Sequence, residues 1–86
     1  MMPKDIFPRE VISNVPRVTL TGREQLHIEQ HKGLIAYSPE EIVFRTASGL
    51  LRAEGEQLRF SLYTSGEALV VGRISGVSFP QKEGRS

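Results

Sequence analysis

An alternation of apolar and polar residues, in short runs cut by turn-forming residues, most constrains what this chain can fold into. The runs are Arg17–Thr21, Gln25–Gln30, Gly33–Tyr37, Ile42–Thr46, Leu50–Glu54, Leu58–Tyr63, Ala68–Val71 and Ile74–Phe79. A period of two puts the apolar set on one face of a strand. No stretch carries an equally clean helical stripe. Links this short predict antiparallel neighbours.

The register follows from the turns. A loop at Gly22–Glu24 pairs Leu20 with Leu26, Val18 with Ile28 and Arg17 with Glu29. A turn at His31-Lys32 pairs Ile28 with Ile35. A loop at Ser38–Glu41 pairs Tyr37 with Ile42 and Ile35 with Phe44. Turns at Ser48-Gly49, Gly55-Glu56 and Ser65-Gly66 pair Phe44 with Ala53, Ala53 with Leu58, and Leu62 with Leu69. Glycine supplies the positive φ that such turns need. Each link keeps the apolar residues on one face, which a one-residue slip would invert.

The expected fold is therefore all-β: an antiparallel up-and-down meander of seven to eight short strands, curled into a roll or small sandwich. Val18, Leu20, Leu26, Ile28, Ile35, Tyr37, Ile42, Phe44, Leu51, Ala53, Leu58, Phe60, Leu62, Leu69 and Val71 line its inner face. Gly72-Arg73 fits a further turn, and Gly72 with Gly76 fits two bulges in one bent strand equally well. Residues 1–16 form an N-terminal segment whose Pro8–Val15 stretch allows a short helix. Residues 17–79 form the domain. Residues 80–86 read as a disordered tail. Ser38-Pro39-Glu40-Glu41 has the signature of a helix N-terminus, but the β-like Ile42-Val43-Phe44 limits it to one turn.

Composition then narrows the function. The 86 residues include no cysteine, which removes disulfides, thiolate metal sites and thiol catalysis. Eleven Lys and Arg face ten Asp and Glu, so there is no bulk positive charge of the kind that announces nucleic-acid binding. No apolar run is long enough to span a bilayer, and MMPKDIFPREV lacks the apolar core of a secretory leader. His27, Glu29 and His31 share a strand face but extend over about 13 Å, and no third strong ligand lies near, so they read as a solvated polar face. No nucleophile elbow or phosphate-binding glycine loop occurs. The chain is expected to be no enzyme and to need no cofactor.

One outward feature stands out. The expected register sets Arg45 opposite Arg52, and Arg52 opposite Arg59. Such a ladder reads either as guanidiniums splayed into water beside Glu54 and Glu67, or as a surface for an anion or an acidic partner. Val43, Leu50 and Val70 share that expected outer face, and a mixed Arg and aliphatic surface suits a protein contact.

The order of several pieces resembles a known family. They are Val15-Pro16-Arg17-Val18-Thr19-Leu20-Thr21-Gly22, Leu26-His27-Ile28-Glu29-Gln30-His31-Lys32-Gly33, Tyr37-Ser38-Pro39-Glu40-Glu41-Ile42, Thr46-Ala47-Ser48-Gly49-Leu50-Leu51 with Gly55 and Leu58, and Leu69-Val70-Val71-Gly72-Arg73-Ile74-Ser75-Gly76-Val77. Together they resemble the YabP/YqfC family of sporulation proteins. Glu29-Gln30-His31-Lys32-Gly33 looks closer to the YqfC branch, while Phe60-Ser61-Leu62-Tyr63 departs from its more aliphatic pattern. The resemblance implies a protein of the mother cell during endospore formation, cytoplasmic or peripheral at the forespore outer membrane. It also implies a YqfD-like membrane protein as partner, and it carries no catalytic residues.

Two classes of function compete. One is a non-enzymatic interaction module that binds a protein partner, or a second copy of itself, through its sheet edges. The other is a small β-module for a small ligand or nucleic acid. That class calls for a pocket or exposed aromatics, and only Tyr63 is expected off the inner face.

Overall fold

The computed structural model describes residues 15–80. They form one antiparallel sheet of six strands: β1 (Arg17–Thr21), β2 (Gln25–Glu29), β3 (His31–Tyr37), β4 (Glu41–Thr46), β5 (Gly49–Tyr63) and β6 (Glu67–Ser78). The order across the sheet is β1-β2-β6-β5-β4-β3, so β1 and β3 are its edges. The all-β expectation holds. The expected seven to eight strands reduce to six, and the short N-terminal helix falls outside the described residues.

The count differs because two expected turns are bends within strands. Gly55-Glu56 does not turn the chain; β5 continues through it for 15 residues. Gly72-Arg73 likewise lies inside β6, which is the bulged-strand alternative. β5 and β6 pair along most of their length, and their register shifts at Glu54/Gly55, Glu56/Arg59 and Phe60/Leu62. Each shift adds a residue to one strand, which bends and twists the ribbon. Gln57 and Gly72 take positive φ (55° and 138°) at the middle shift. A Cβ on Gly55 would collide with the Arg73 carbonyl oxygen, and one on Gly72 would strike the Gln57 carbonyl and Leu58 Cα. Only glycine lets the two backbones approach so closely.

A bulged ribbon leaves N–H groups without ladder partners, and these must be satisfied. The other two hairpins do this. The turn between β3 and β4 offers the Pro39 and Glu40 carbonyls, which accept from Leu58 N (2.8 Å) and Gly55 N (3.0 Å). The turn between β1 and β2 offers the Arg23 and Glu24 carbonyls, which accept from Ile74 N (2.8 Å) and Gly72 N (3.2 Å). Each hairpin thus flanks one half of the ribbon and caps its bend with its turn.

The bent sheet encloses one core: Leu26 and Ile28 of β2, Ile42 and Phe44 of β4, Leu51, Ala53 and Leu58 of β5, and Ala68, Val70 and Ile74 of β6. Val18, Phe60 and Val77 pack against it. Burying each large side chain contributes about 1.5–3 kcal/mol. On β2, β4 and the first half of β5 the expected inner face is the observed one. The shift at Phe60/Leu62 then reverses the alternation. Phe60 pairs with Val70, so Ala68 and Val70 are buried, while Leu62 is exposed and Leu69 and Val71 are only half-buried. Leu20, Ile35 and Tyr37, also expected inside, are exposed on the two edge strands.

A further correction concerns β2 and β3. They do not form a hairpin about His31-Lys32. Single-residue Gln30, at φ 72°, joins them across a corner, and β2 pairs with β6 instead. The Gly66 carbonyl pins the corner, accepting from Gln30 N (2.6 Å) and His31 N (3.3 Å). His31 is buried there. Gly33 N–H donates to its Nδ1 (3.0 Å), so the proton sits on Nε2, which donates to the Thr64 carbonyl (2.9 Å). Its ring stacks on Tyr63 and meets Phe44 at a tilt.

Two outcomes follow. Gly55→Ala and Gly72→Ala should each lower stability by about 2 kcal/mol or more in urea unfolding. Gly66→Ala, where a Cβ meets open space, should be near neutral. His31→Leu keeps the volume but strands the Gly33 donor and the Thr64 acceptor. It should cost about 2–4 kcal/mol in the same measurement; a loss below about 1 kcal/mol would show that the ring is not what holds the corner.

Candidate interaction surfaces

The arginine ladder does not form. The turn after β4 is Ala47-Ser48, with Thr46 opposite Gly49, so the register lies two residues from the expected one. Thr46 fixes it: its hydroxyl donates to the Gly49 carbonyl (2.7 Å) and accepts from Ser48 N (3.0 Å). Arg45 consequently faces Leu50, and Arg52 faces Val43 on one side and Ser78 on the other. Arg59 lies further along the same strand as Arg52 and faces Val71.

The three arginines have separate surroundings. Arg52 is half-buried between two carboxylates: its Nε lies 3.0 Å from Glu41 Oε2 and its Nη1 3.6 Å from Glu54 Oε2. The Nε–H is not aimed at Glu41, so this contact is charge attraction rather than a hydrogen bond. Arg45 is exposed on β4, beside the edge strand β3. Arg59 is exposed and lines a groove with Arg23 and Arg73. Glu67, expected near the arginines, instead accepts from His27 Nε2 at 2.6 Å. Glu29 sits on the other side of the same ring, 3.6 Å from Nδ1, and faces both Arg17 and Glu67 across the ladder. His27 thus separates two like charges. Among the described residues no cluster of three metal-ligating side chains occurs.

The more prominent surface is the edge itself. Leu34, Ile35, Ala36 and Tyr37 are consecutive on β3 and all exposed. Leu34 pairs with Phe44 and Ala36 with Val43, so Ile35 is an extra residue in a bulge. Tyr37 stacks on Phe60 (5.3 Å) and donates to the Leu58 carbonyl (3.2 Å), which ties the strand end to the bend of β5. A bulge and Lys32 blunt this edge against indiscriminate pairing. The other edge, β1, alternates Arg17, Thr19 and Thr21 with Val18 and Leu20. Alternating patterning did not reveal β3 as an edge, because its inner-face residues read as core; the corner at Gln30 is what exposes them.

The model of the YabP family matches residues 13–86. The chain belongs to the YabP family. It is also similar to "Uncharacterized protein YqfC" of Bacillus subtilis (strain 168), with 29% identity over 73 residues, covering 85% of this chain and 78% of that protein. The family match runs through every described strand, and neither match assigns a residue of this YabP-family chain a role. No helix of the described residues is long and apolar enough to cross a membrane.

Arg52 and Glu41 are both more than a third exposed, so solvent screens their attraction. A double-mutant cycle of Arg52→Ala and Glu41→Ala should return a coupling of only about 0–1 kcal/mol. A larger value would mark Arg52 as a structural strut.

Proposed function

We propose that this protein is a non-enzymatic interaction module of endospore formation, acting in the mother cell. Its β3 edge takes an extended segment of a membrane-protein partner, for which a YqfD-like protein is the candidate. The exposed run Leu34-Ile35-Ala36-Tyr37 carries this reading. An unpaired edge adds a strand through main-chain hydrogen bonds, and its side chains select the strand. Apolar residues in sequence on such an edge cost solubility unless a partner covers them. The segment would come from a partner because Lys32 and the Ile35 bulge oppose regular pairing of two copies. Membership of the YabP family supports the link to sporulation. Arg45, exposed on the neighbouring strand, would meet carboxylates flanking the docked segment.

Nucleic-acid binding has less support. Bases need free aromatic faces. Tyr37 stacks on Phe60 and Tyr63 on His31, which leaves Phe79 as the one exposed aromatic ring without a ring partner among the described residues, too few for a stacking platform.

The test is capture of partners by the tagged protein from sporulating cells solubilised in mild detergent. The unaltered chain should bring down a YqfD-like membrane protein. Ile35→Lys should lose it while the thermal midpoint stays within a few degrees, because Ile35 is 45% exposed. Leu20→Lys, on the opposite edge and 49% exposed, should retain it. Undiminished capture by Ile35→Lys would remove β3 as the docking edge.

A further inference from the structure

The bend that organises the fold also builds a groove of about 790 Å³ on the outer surface. One wall is the turn between β1 and β2, held over β6 by the Arg23 and Glu24 carbonyls. That wall brings Arg23 to the same opening as Arg73 of β6 and Arg59 of β5. Gln57 and Ser61, at the two bulges of β5, add amide and hydroxyl donors. Val71 and Gly72 contribute the apolar part of the lining.

Charge is concentrated here. The whole chain carries a formal net charge of only +1, yet three arginines line one opening that has a single lining carboxylate residue, Glu24. Arg73 has a loose, exposed contact with Glu56 (3.4 Å). Among the described residues Arg23 and Arg59 have no ion-pair partner. Like charges gathered in this way repel, and backbone hydrogen bonds of the turn and the bulges hold them together regardless. Arginine forks match carboxylates and phosphates in geometry.

We infer that this groove is an anion site for an acidic, extended peptide segment. It rests on the reading of the chain as an interaction module, but it lies on a different strand set from the β3 edge. The shape and lining select this ligand. The groove is enclosed on one side by a turn, so a strand of chain enters it where a flat bilayer surface meets mainly its rim. No aromatic side chain lines it, so nucleotide bases find no stacking platform. Carboxylate side chains satisfy the guanidiniums, while Gln57 and Ser61 can reach the peptide main chain. An acidic sequence adjoining the strand that docks on β3 would then engage the same molecule twice, raising effective concentration without enlarging either contact.

The purified full chain is titrated into a fluorescein-labelled hexa-glutamate peptide and followed by anisotropy at low and at physiological salt. Saturable binding that weakens with salt is expected. Arg23→Glu with Arg59→Glu should weaken it by at least about tenfold. Arg17→Glu with Lys32→Glu, both exposed and outside the groove, makes the same change in net charge and should alter it by less than about twofold. Arg23→Gln with Arg59→Gln serves as the milder pair, and circular dichroism checks that each variant is folded. Equal losses from both charge-reversal pairs would reduce the groove to a net-charge effect and overturn the site. Tighter groove-dependent binding to phosphatidylglycerol vesicles or to an oligouridylate would replace the peptide with lipid or RNA. The peptide assay contains no cellular partner. Its failure alongside intact capture through β3 therefore sinks the groove alone, and loss of capture with intact peptide binding sinks only the docking edge.

Discussion

Everything in this fold depends on the close crossing of β5 and β6 at Gly55 and Gly72. Two straight strands of this length would make a flat ribbon with one wet apolar face. Three register shifts bend the ribbon so that its two halves, with the strands beside them, enclose one core. The bend frees backbone N–H groups at Gly55, Leu58, Gly72 and Ile74, and carbonyls from two turns accept all of them. Pro39 suits its place in that exchange, since it lends an acceptor and brings no donor to satisfy. The interior is thus closed mainly by main-chain geometry and aliphatic packing, with two buried polar side chains among the described residues: His31 spans the corner between β2 and β3, and Thr46 fixes the β4–β5 turn.

That arrangement separates structural from available surface. The aromatic rings of Tyr37, Phe60, Phe44, His31 and Tyr63 lean on one another in series, and they anchor β3 without covering it. The outer edge of β3 stays open, and the groove opens beside the β1–β2 turn. The open β3 edge and the arginine-lined groove both follow from the same bend: one hairpin is carried to the end of the sheet, and the other is folded over β6.

Much of this was legible in the residues, and the failures have definite causes. The β1–β2 register, the pairing of Tyr37 with Ile42 and the turn at Ser65-Gly66 follow from local turn chemistry and were correctly read. Ser38 caps as expected, accepting from Glu40 N and Glu41 N, but within a tight hairpin turn rather than a helix. Gly55 and Gly72 looked like turn glycines because the same absence of a Cβ serves turns and backbone crossings alike. Reading Gly55 as a turn splits β5 in two and sets Arg52 opposite Arg59, which the continuous strand forbids, while Arg45 misses Arg52 because Thr46 moves the β4–β5 turn to Ala47-Ser48. The β2–β6 pairing had no local signal at all, since nothing near either strand encodes a partner some forty residues away. Arg23, Arg59 and Arg73 come together only through that pairing, so their groove was invisible to any strand-by-strand reading.

The strand order has a consequence for how the chain is made. β6 is the last of the described strands in the chain, yet it lies within the sheet, between β2 and β5. As the chain emerges during synthesis, the first hairpin has no second neighbour, and the β3–β4–β5 meander has no cover for its apolar face. Neither half can hold a stable core until β6 arrives to join them. Vectorial synthesis therefore gives little protection here, and the final strand converts two exposed fragments into one structure in a single late step.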